Sequence, residues 1–337
     1  MYEDFFDLAE RPFSARADIR FLYSSEDHEL ALSLLRYALM ERFAISVVTG
    51  APGVGKTTLA QAITHTMTLE APGDLRFGRM VAARGGRGDM LRWILAAFDQ
   101  PCPEQENRIA LLGRLKTFLD RTEAAGQRAT LIVDEAQTLD AAELEELRLL
   151  SDGEAGADVR ISLMLFGQTG LRTLIQSSDQ TAFAQRIDAD FHMEPLTAAE
   201  TGAYVRHRVH AAGGKRELFD EDAFPILHRA TGGAPRLLNR LCDLSLASAY
   251  AEARVTVAAS ALRAMLASFE SRGVFDQFRP PEAPAAGGVQ MMEETLVTAV
   301  RPKTRRRIDD DERPQAKPRR KSSKRGGERP GRAEVNG

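Results

Sequence analysis

Short unbroken apolar runs alternate, over most of the first 270 residues, with longer stretches whose apolar positions recur every three or four residues. Ala44-Ile-Ser-Val-Val48, Ala129-Thr-Leu-Ile-Val133 and the run from Ile161 to Phe166 have strand length and read as buried strands; Met80-Val-Ala-Ala83 is a further candidate. Helical spacing fills the gaps over residues 56–67, 89–98 and 109–119. Ahead of the first strand, Leu30, Leu32, Leu34, Leu35, Ala38 and Leu39 predict an amphipathic helix with one apolar face. Strands separated by helices of this length predict an α/β fold, a parallel sheet with helices on both faces.

From Pro195 onward no strand pattern is read, and helices are predicted from 197 to 211 and over 220–230, 235–253 and 257–270. Thr197-Ala-Ala-Glu200 is a capping box, in which the two side chains satisfy each other's exposed backbone N–H groups, and Gly213-Gly214 is a stop signal. The expected organisation is an N-terminal segment with its helix (1–42), a nucleotide-binding domain (43–194), a smaller all-helical lid (195–272), and a linker with a disordered basic tail (273–337).

Charge sharpens that division. The chain carries a net −3, yet residues 301–337 hold 14 Lys/Arg against 6 Asp/Glu, which leaves −11 for the rest. Arg305-Arg-Arg307 and Lys317-Pro-Arg-Arg-Lys321 can hold nucleic-acid phosphates or anionic lipid; a solvated tail that aids solubility is the competing reading. With no aromatic residue interleaved, base stacking is removed from the first of these. Cys102 and Cys242 stand far apart, against a disulfide framework or zinc site. The N-terminus is acidic where a secretory signal would be basic, and no apolar run approaches the ~20 residues of a membrane helix. A cytoplasmic protein without a transmembrane segment is expected.

The chemistry starts where the first strand ends. Gly50-Ala51-Pro52-Gly53-Val54-Gly55-Lys56-Thr57 follows a predicted strand and opens a predicted helix, with Thr58 next, as a phosphate-binding loop requires. Backbone N–H groups at 53–56 can face phosphates only where side chains do not block them, and the helix N-terminus adds positive potential. Lys56 is expected on the β- and γ-phosphates of ATP and Thr57 on Mg²⁺. Asp134 and Glu135 close the third strand: Asp134 is assigned to Mg²⁺ and Glu135 to the attacking water, the alternative being that both simply cap the next helix. Gln168, just past the fourth strand, is a candidate sensor of that water, or a loop amide bonded to backbone. Arg186 is a candidate arginine finger for an adjacent subunit, against an ordinary surface arginine. Arg236 opens a lid helix, where it either contacts phosphates or is a plain first-turn residue. His207 and His210, flanked by arginines, read as a solvated helix face, and Trp93, Phe98 and Phe118 as core.

Taken with Tyr2-Glu-Asp-Phe-Phe6, Arg11-Pro-Phe-Ser14, Arg20-Phe-Leu-Tyr23, His28, Val133-Asp-Glu-Ala-Gln137, Leu144–Ser151, Phe166-Gly-Gln168, Gln185-Arg-Ile187 and Gly233-Ala-Pro-Arg236, the chain resembles the general secretion pathway protein A (ExeA-like) group of AAA+ ATPases. That group lies near the transposition ATPases of the MuB/TniB type. The resemblance covers residues 1–270 and implies an AAA+ core with a helical lid, ATP and Mg²⁺ as ligands, and a homo-oligomer formed on ATP binding. Secretion members typically continue into a membrane helix and a periplasmic domain where this chain has its basic tail, so a role in placing a secretion pore does not carry over. Arg84-Gly-Gly-Arg-Gly88 also departs from the group's usual Asn-Pro turn. Three functions stand: an ATP-hydrolysing motor or switch that remodels or positions an unknown protein client, a DNA-binding ATPase of the transposition-accessory type, and a nonhydrolysing nucleotide switch.

Overall fold

The apolar runs become the middle of a sheet. A computed structural model of the chain describes residues 1–14, 18–82, 90–103, 105–151, 160–272 and 278, all within one compact unit, Met1–Glu282. In chain order the elements are α1 (Glu26–Met40), β1 (Ile45–Gly50), α2 (Lys56–Glu70), β2 (Leu75–Val81), α3 (Met90–Ala97), α4 (Arg108–Ala124), β3 (Arg128–Asp134), α5 (Ala141–Ser151), β4 (Ile161–Gly167), α6 (Thr169–Ile175), α7 (Thr181–Ala184), β5 (Ile187–Met193), α8 (Ala198–Ala211), α9 (Phe224–Thr231), α10 (Pro235–Ala251) and α11 (Ala259–Arg272). Among the described residues the strands pair in parallel in the order β2-β3-β4-β1-β5.

Three of these strands, β1, β3 and β4, are interior and covered on both faces, which is why they read as near-continuous apolar runs. The two edges were harder to see. β5 was not anticipated: Ile187-Asp-Ala-Asp-Phe-His-Met193 buries only Ala189 and Met193, so no apolar run marks it. β2 begins at Leu75, upstream of the expected start at Met80, because Arg76 and Arg79 interrupt its apolar positions. Residues 83–89, including the turn at 84–88, lie outside the described residues, as does the basic tail over 301–337.

One core lies under α3–α7 with Leu131, Val133, Leu163 and Leu165 from the sheet, and it takes in Phe98 and Phe118, with Trp93 against its edge, as expected. A second lies under α1 and α2 with Ile132, Met164, Phe166 and Met193. In α1 the buried face is narrower than the leucine pattern implied: Ala31, Leu35, Ala38 and Leu39 are buried, whereas Leu30 is exposed, lying a third of a turn off that stripe. A third core joins α8–α10 to residues that precede α1, among them Tyr2, Phe6, Phe13 and Phe21. Backbone pairing of Ala9 N–H with the Ala212 carbonyl, 2.8 Å, fixes that segment against the end of α8. The capping box at Thr197 and Glu200 forms, and Glu200 also accepts from the Glu26 N–H at 3.2 Å, tying α8 to the start of α1. The arginine-flanked face of α8 is not uniformly solvated. Arg208 is buried and donates to the Pro12 carbonyl, and His207 packs on Tyr23. Among the described residues no helix is long and apolar enough to cross a membrane.

Candidate nucleotide site

Parallel strands end together, so the loops that follow β1, β3 and β4 meet at one edge of the sheet. There they border a cavity of about 670 Å³. From the loop after β1 it is lined by Pro52, Gly53, Gly55, Lys56, Thr57 and Thr58. Glu135 follows β3, Gln168 follows β4, and Arg236 comes from the first turn of α10. Nine residues expected at the site from the chain's pattern thus share one space.

The loop itself depends on two backbone conformations that L side chains resist: Gly53 has φ +81° and Gly55 φ +113°. A side chain at either position would also collide. At Gly53 a Cβ would lie 2.7 Å from the Arg236 Cβ, and at Gly55 it would lie 2.6 Å from Nε2 of His28. His28, buried in α1 with Ser25 Oγ 2.7 Å from its Nδ1, therefore forms a wall behind the loop. Burial pushes its imidazole below its ordinary range, against the carboxylates of Asp27 and Glu200. We expect Gly55→Ala to cost about 1–3 kcal/mol in denaturant unfolding, the usual scale of such backbone strain, and to weaken ATP binding at least tenfold in calorimetry.

Lys56 folds back on the loop, its ammonium donating to the carbonyls of Gly50 and Ala51 at 2.9 Å each. Burial lowers its pKa; the carboxylates of Glu135 and Asp134 oppose the shift, and Arg236 adds to it. A buried cation in this loop is what a phosphate chain would stabilise. The Val54 N–H, expected to face the phosphates, instead meets the Ala51 carbonyl at 3.5 Å, while the Val54 side chain is buried in the second core. Arg236 closes the loop from outside, its N–H on the Gly53 carbonyl at 3.2 Å.

Behind the cavity, Asp134 is 4% exposed and its Oδ2 accepts from Thr57 Oγ1 at 2.8 Å. A buried carboxylate paired with a hydroxyl is an oxygen-only donor set, which suits Mg²⁺. The same Oδ2 takes Arg79 from β2 at 3.3 Å, a contact that the chain's pattern did not reveal. Glu135, with φ +55°, precedes a single 3₁₀ turn, Ala136–Thr138, and its side chain makes no capping bond to that turn. Its Oε2 accepts from Gln137 Nε2 at 2.6 Å and from Gln168 Nε2 at 3.4 Å. Gln137 had been noted only as part of a motif. Its position two residues beyond Glu135 was the signal available.

Arg186 is placed elsewhere. It is exposed at the start of β5, whose other end, Met193, pairs with Gly50. From Ile187, the residue after it, six strand steps of ~3.3 Å lead to Met193, which sets Arg186 at least roughly 20 Å from its own phosphate loop.

Comparison with known proteins agrees with this geometry. Residues 41–175 match the family model described as AAA domain. The fold is the AAA+ P-loop fold, and the match lies on the part of the chain that carries β1 to β4. It is 33% identical over 277 residues to general secretion pathway protein A of Aeromonas hydrophila, covering 82% of this chain and 50% of that protein, so it spans about half the length of that relative. The AAA+ fold recurs in the ORC2 protein of Aeropyrum pernix, with TM-score 0.57, 16% identity and coverage of 77% of this chain and 71% of that one. It recurs again in CDC6P of Pyrobaculum aerophilum, with TM-score 0.58, 18% identity and coverage of 73% and 67%.

Proposed function

We propose that this AAA+ chain binds ATP with Mg²⁺ and hydrolyses it, and that nucleotide-dependent self-association uses the reaction to remodel or position a protein assembly of the secretion or envelope kind. One observation carries the hydrolytic part: the Glu135 carboxylate, the Gln168 amide and the Lys56 ammonium share one cavity. In this reading the N–H groups of the loop and the ammonium of Lys56 hold the β- and γ-phosphates. Thr57 and Asp134 hold Mg²⁺, which when bound neutralises charge on the phosphate oxygens. Gln168 orients the water, and Glu135 takes its proton on Oε1 while Oε2 stays with the two amides. Arg236 links the phosphates to α8–α11 through the first turn of α10. The secretion setting rests on the similarity to general secretion pathway protein A and on that alone.

Arg186 is assigned to a neighbouring subunit's γ-phosphate, because it is exposed and far from its own loop. That assignment has a mixing test. Arg186→Ala and Glu135→Gln proteins should each be inactive alone. A one-to-one mixture should regain on the order of a quarter of wild-type phosphate release, since about that fraction of interfaces pairs an intact base with an intact arginine. A mixture as inactive as its components would remove the assignment.

A further inference from the structure

The turn after β3 places Glu135 in a left-handed conformation, φ 55° and ψ 33°, and something must hold it there. Two side chains clamp that turn from opposite sides. Toward β2, the Thr138 hydroxyl donates within reach of the carbonyls of Ala82 and Glu135, 2.9 Å from each. Toward β4, Gln137 is bonded at both ends of its amide. Its Oε1 accepts from the backbone N–H of Gln168 at 2.8 Å, and its Nε2 donates to Oε2 of Glu135 at 2.6 Å. A backbone N–H can only donate, so it selects the oxygen of the Gln137 amide and thereby turns the nitrogen toward the carboxylate. The amide cannot be reversed without losing both bonds. Gln168 Nε2 approaches the same Oε2 at 3.4 Å, so two amides fix one oxygen of Glu135 and with it the direction of the other.

We propose that Gln137 is the positioning residue of the candidate base: it orients the Glu135 carboxylate and ties it to the end of β4, so that base and sensor amide move as one unit. This rests on the reading of Glu135 as the base in ATP hydrolysis. Gln137 itself touches no reacting atom in this scheme. Its action is to remove the rotational freedom of Glu135 and to hold Oε1 where a water proton can be received.

Two substitutions separate this role from a plain structural tether. Gln137→Met keeps the length and loses both bonds. Gln137→Glu keeps an acceptor for the Gln168 N–H but sets a carboxylate, with no donor, against Glu135. Both should lower kcat on the order of 10- to 100-fold, the lower part of the range for positioned acid–base groups, while ATP affinity and KM stay within about twofold of wild type. Wild-type kcat in Gln137→Glu would show that only the tether to Gln168 matters and would overturn the proposal. So would a raised KM with kcat unchanged. A second readout does not depend on turnover: in ¹H–¹⁵N spectra one side-chain amide proton of Gln137, assigned by its loss in Gln137→Met, should lie downfield and return upfield in Glu135→Ala. An amide signal indifferent to Glu135→Ala would also overturn it. If the wild-type chain releases no phosphate, the hydrolytic reading falls, and the amide signal still decides whether Gln137 holds Glu135.

Discussion

Glu135→Gln is expected to bind Mg²⁺-ATP within about twofold of the wild-type chain and to lose phosphate release by ~10²–10⁴, the range that a positioned general base contributes. The substitution keeps the size of the side chain and can still accept at its carbonyl oxygen, so the contacts to Gln137 and Gln168 have a partner. What disappears is the ability to take a proton from water. Because Glu135 lies past the end of β3 and not in the phosphate loop, ground-state binding has little reason to change. Isothermal titration with a slowly hydrolysed analogue and a phosphate-release assay give the two halves of the result. Undiminished turnover in the variant would remove Glu135 as the base and leave the site without one.

The second large effect concerns binding itself. Lys56→Ala should weaken ATP binding by at least ~10²-fold, since the lysine supplies a charge-assisted contact to two phosphates at once. The fold gives a reason beyond the charge. In this structure the lysine is buried and its ammonium is turned onto the carbonyls of Gly50 and Ala51. Its ammonium is thus already at the mouth of the loop, with little ordering left to lose when phosphates arrive. A circular dichroism spectrum like that of wild type, together with lost binding in calorimetry, is the expected pair of results. Retained affinity would mean that the loop amides alone hold the nucleotide.

Much of this site was legible in the chain because its parts are local. The phosphate loop is one contiguous run, Gly50–Thr57, whose glycines are required by φ values that the structure shows at Gly53 and Gly55. Asp134 and Glu135 sit at the end of an interior strand, and interior parallel strands announce themselves as apolar runs. Edge strands do not. β5 carries Asp188, Asp190 and His192 on exposed or half-exposed positions, so its pairing with β1 had no signal in hydrophobic spacing. The remaining omissions are contacts across long stretches of chain. Arg79 meets Asp134 only because β2 lies beside β3, and His28 meets Gly55 only because α1 packs over α2. Arg208 looked like one of several solvated arginines on α8; it is buried because residues preceding α1 fold over that helix and offer it the Pro12 carbonyl. Gln137 is the intermediate case. Its place in the chain was plain, but its two bonds depend on how closely the turn after β3 approaches the end of β4.

The central claim is that this cavity does more than hold a nucleotide. The most direct measurement is phosphate release from Mg²⁺-ATP by the purified chain over a wide range of its own concentration, with Glu135→Gln run beside it. Turnover should rise more than linearly with protein concentration, as a site completed by Arg186 of a neighbour requires, and should be lower by ~10²–10⁴ in the variant. ATP bound in calorimetry with no phosphate released at any concentration would contradict it, and would make the chain a nonhydrolysing nucleotide switch.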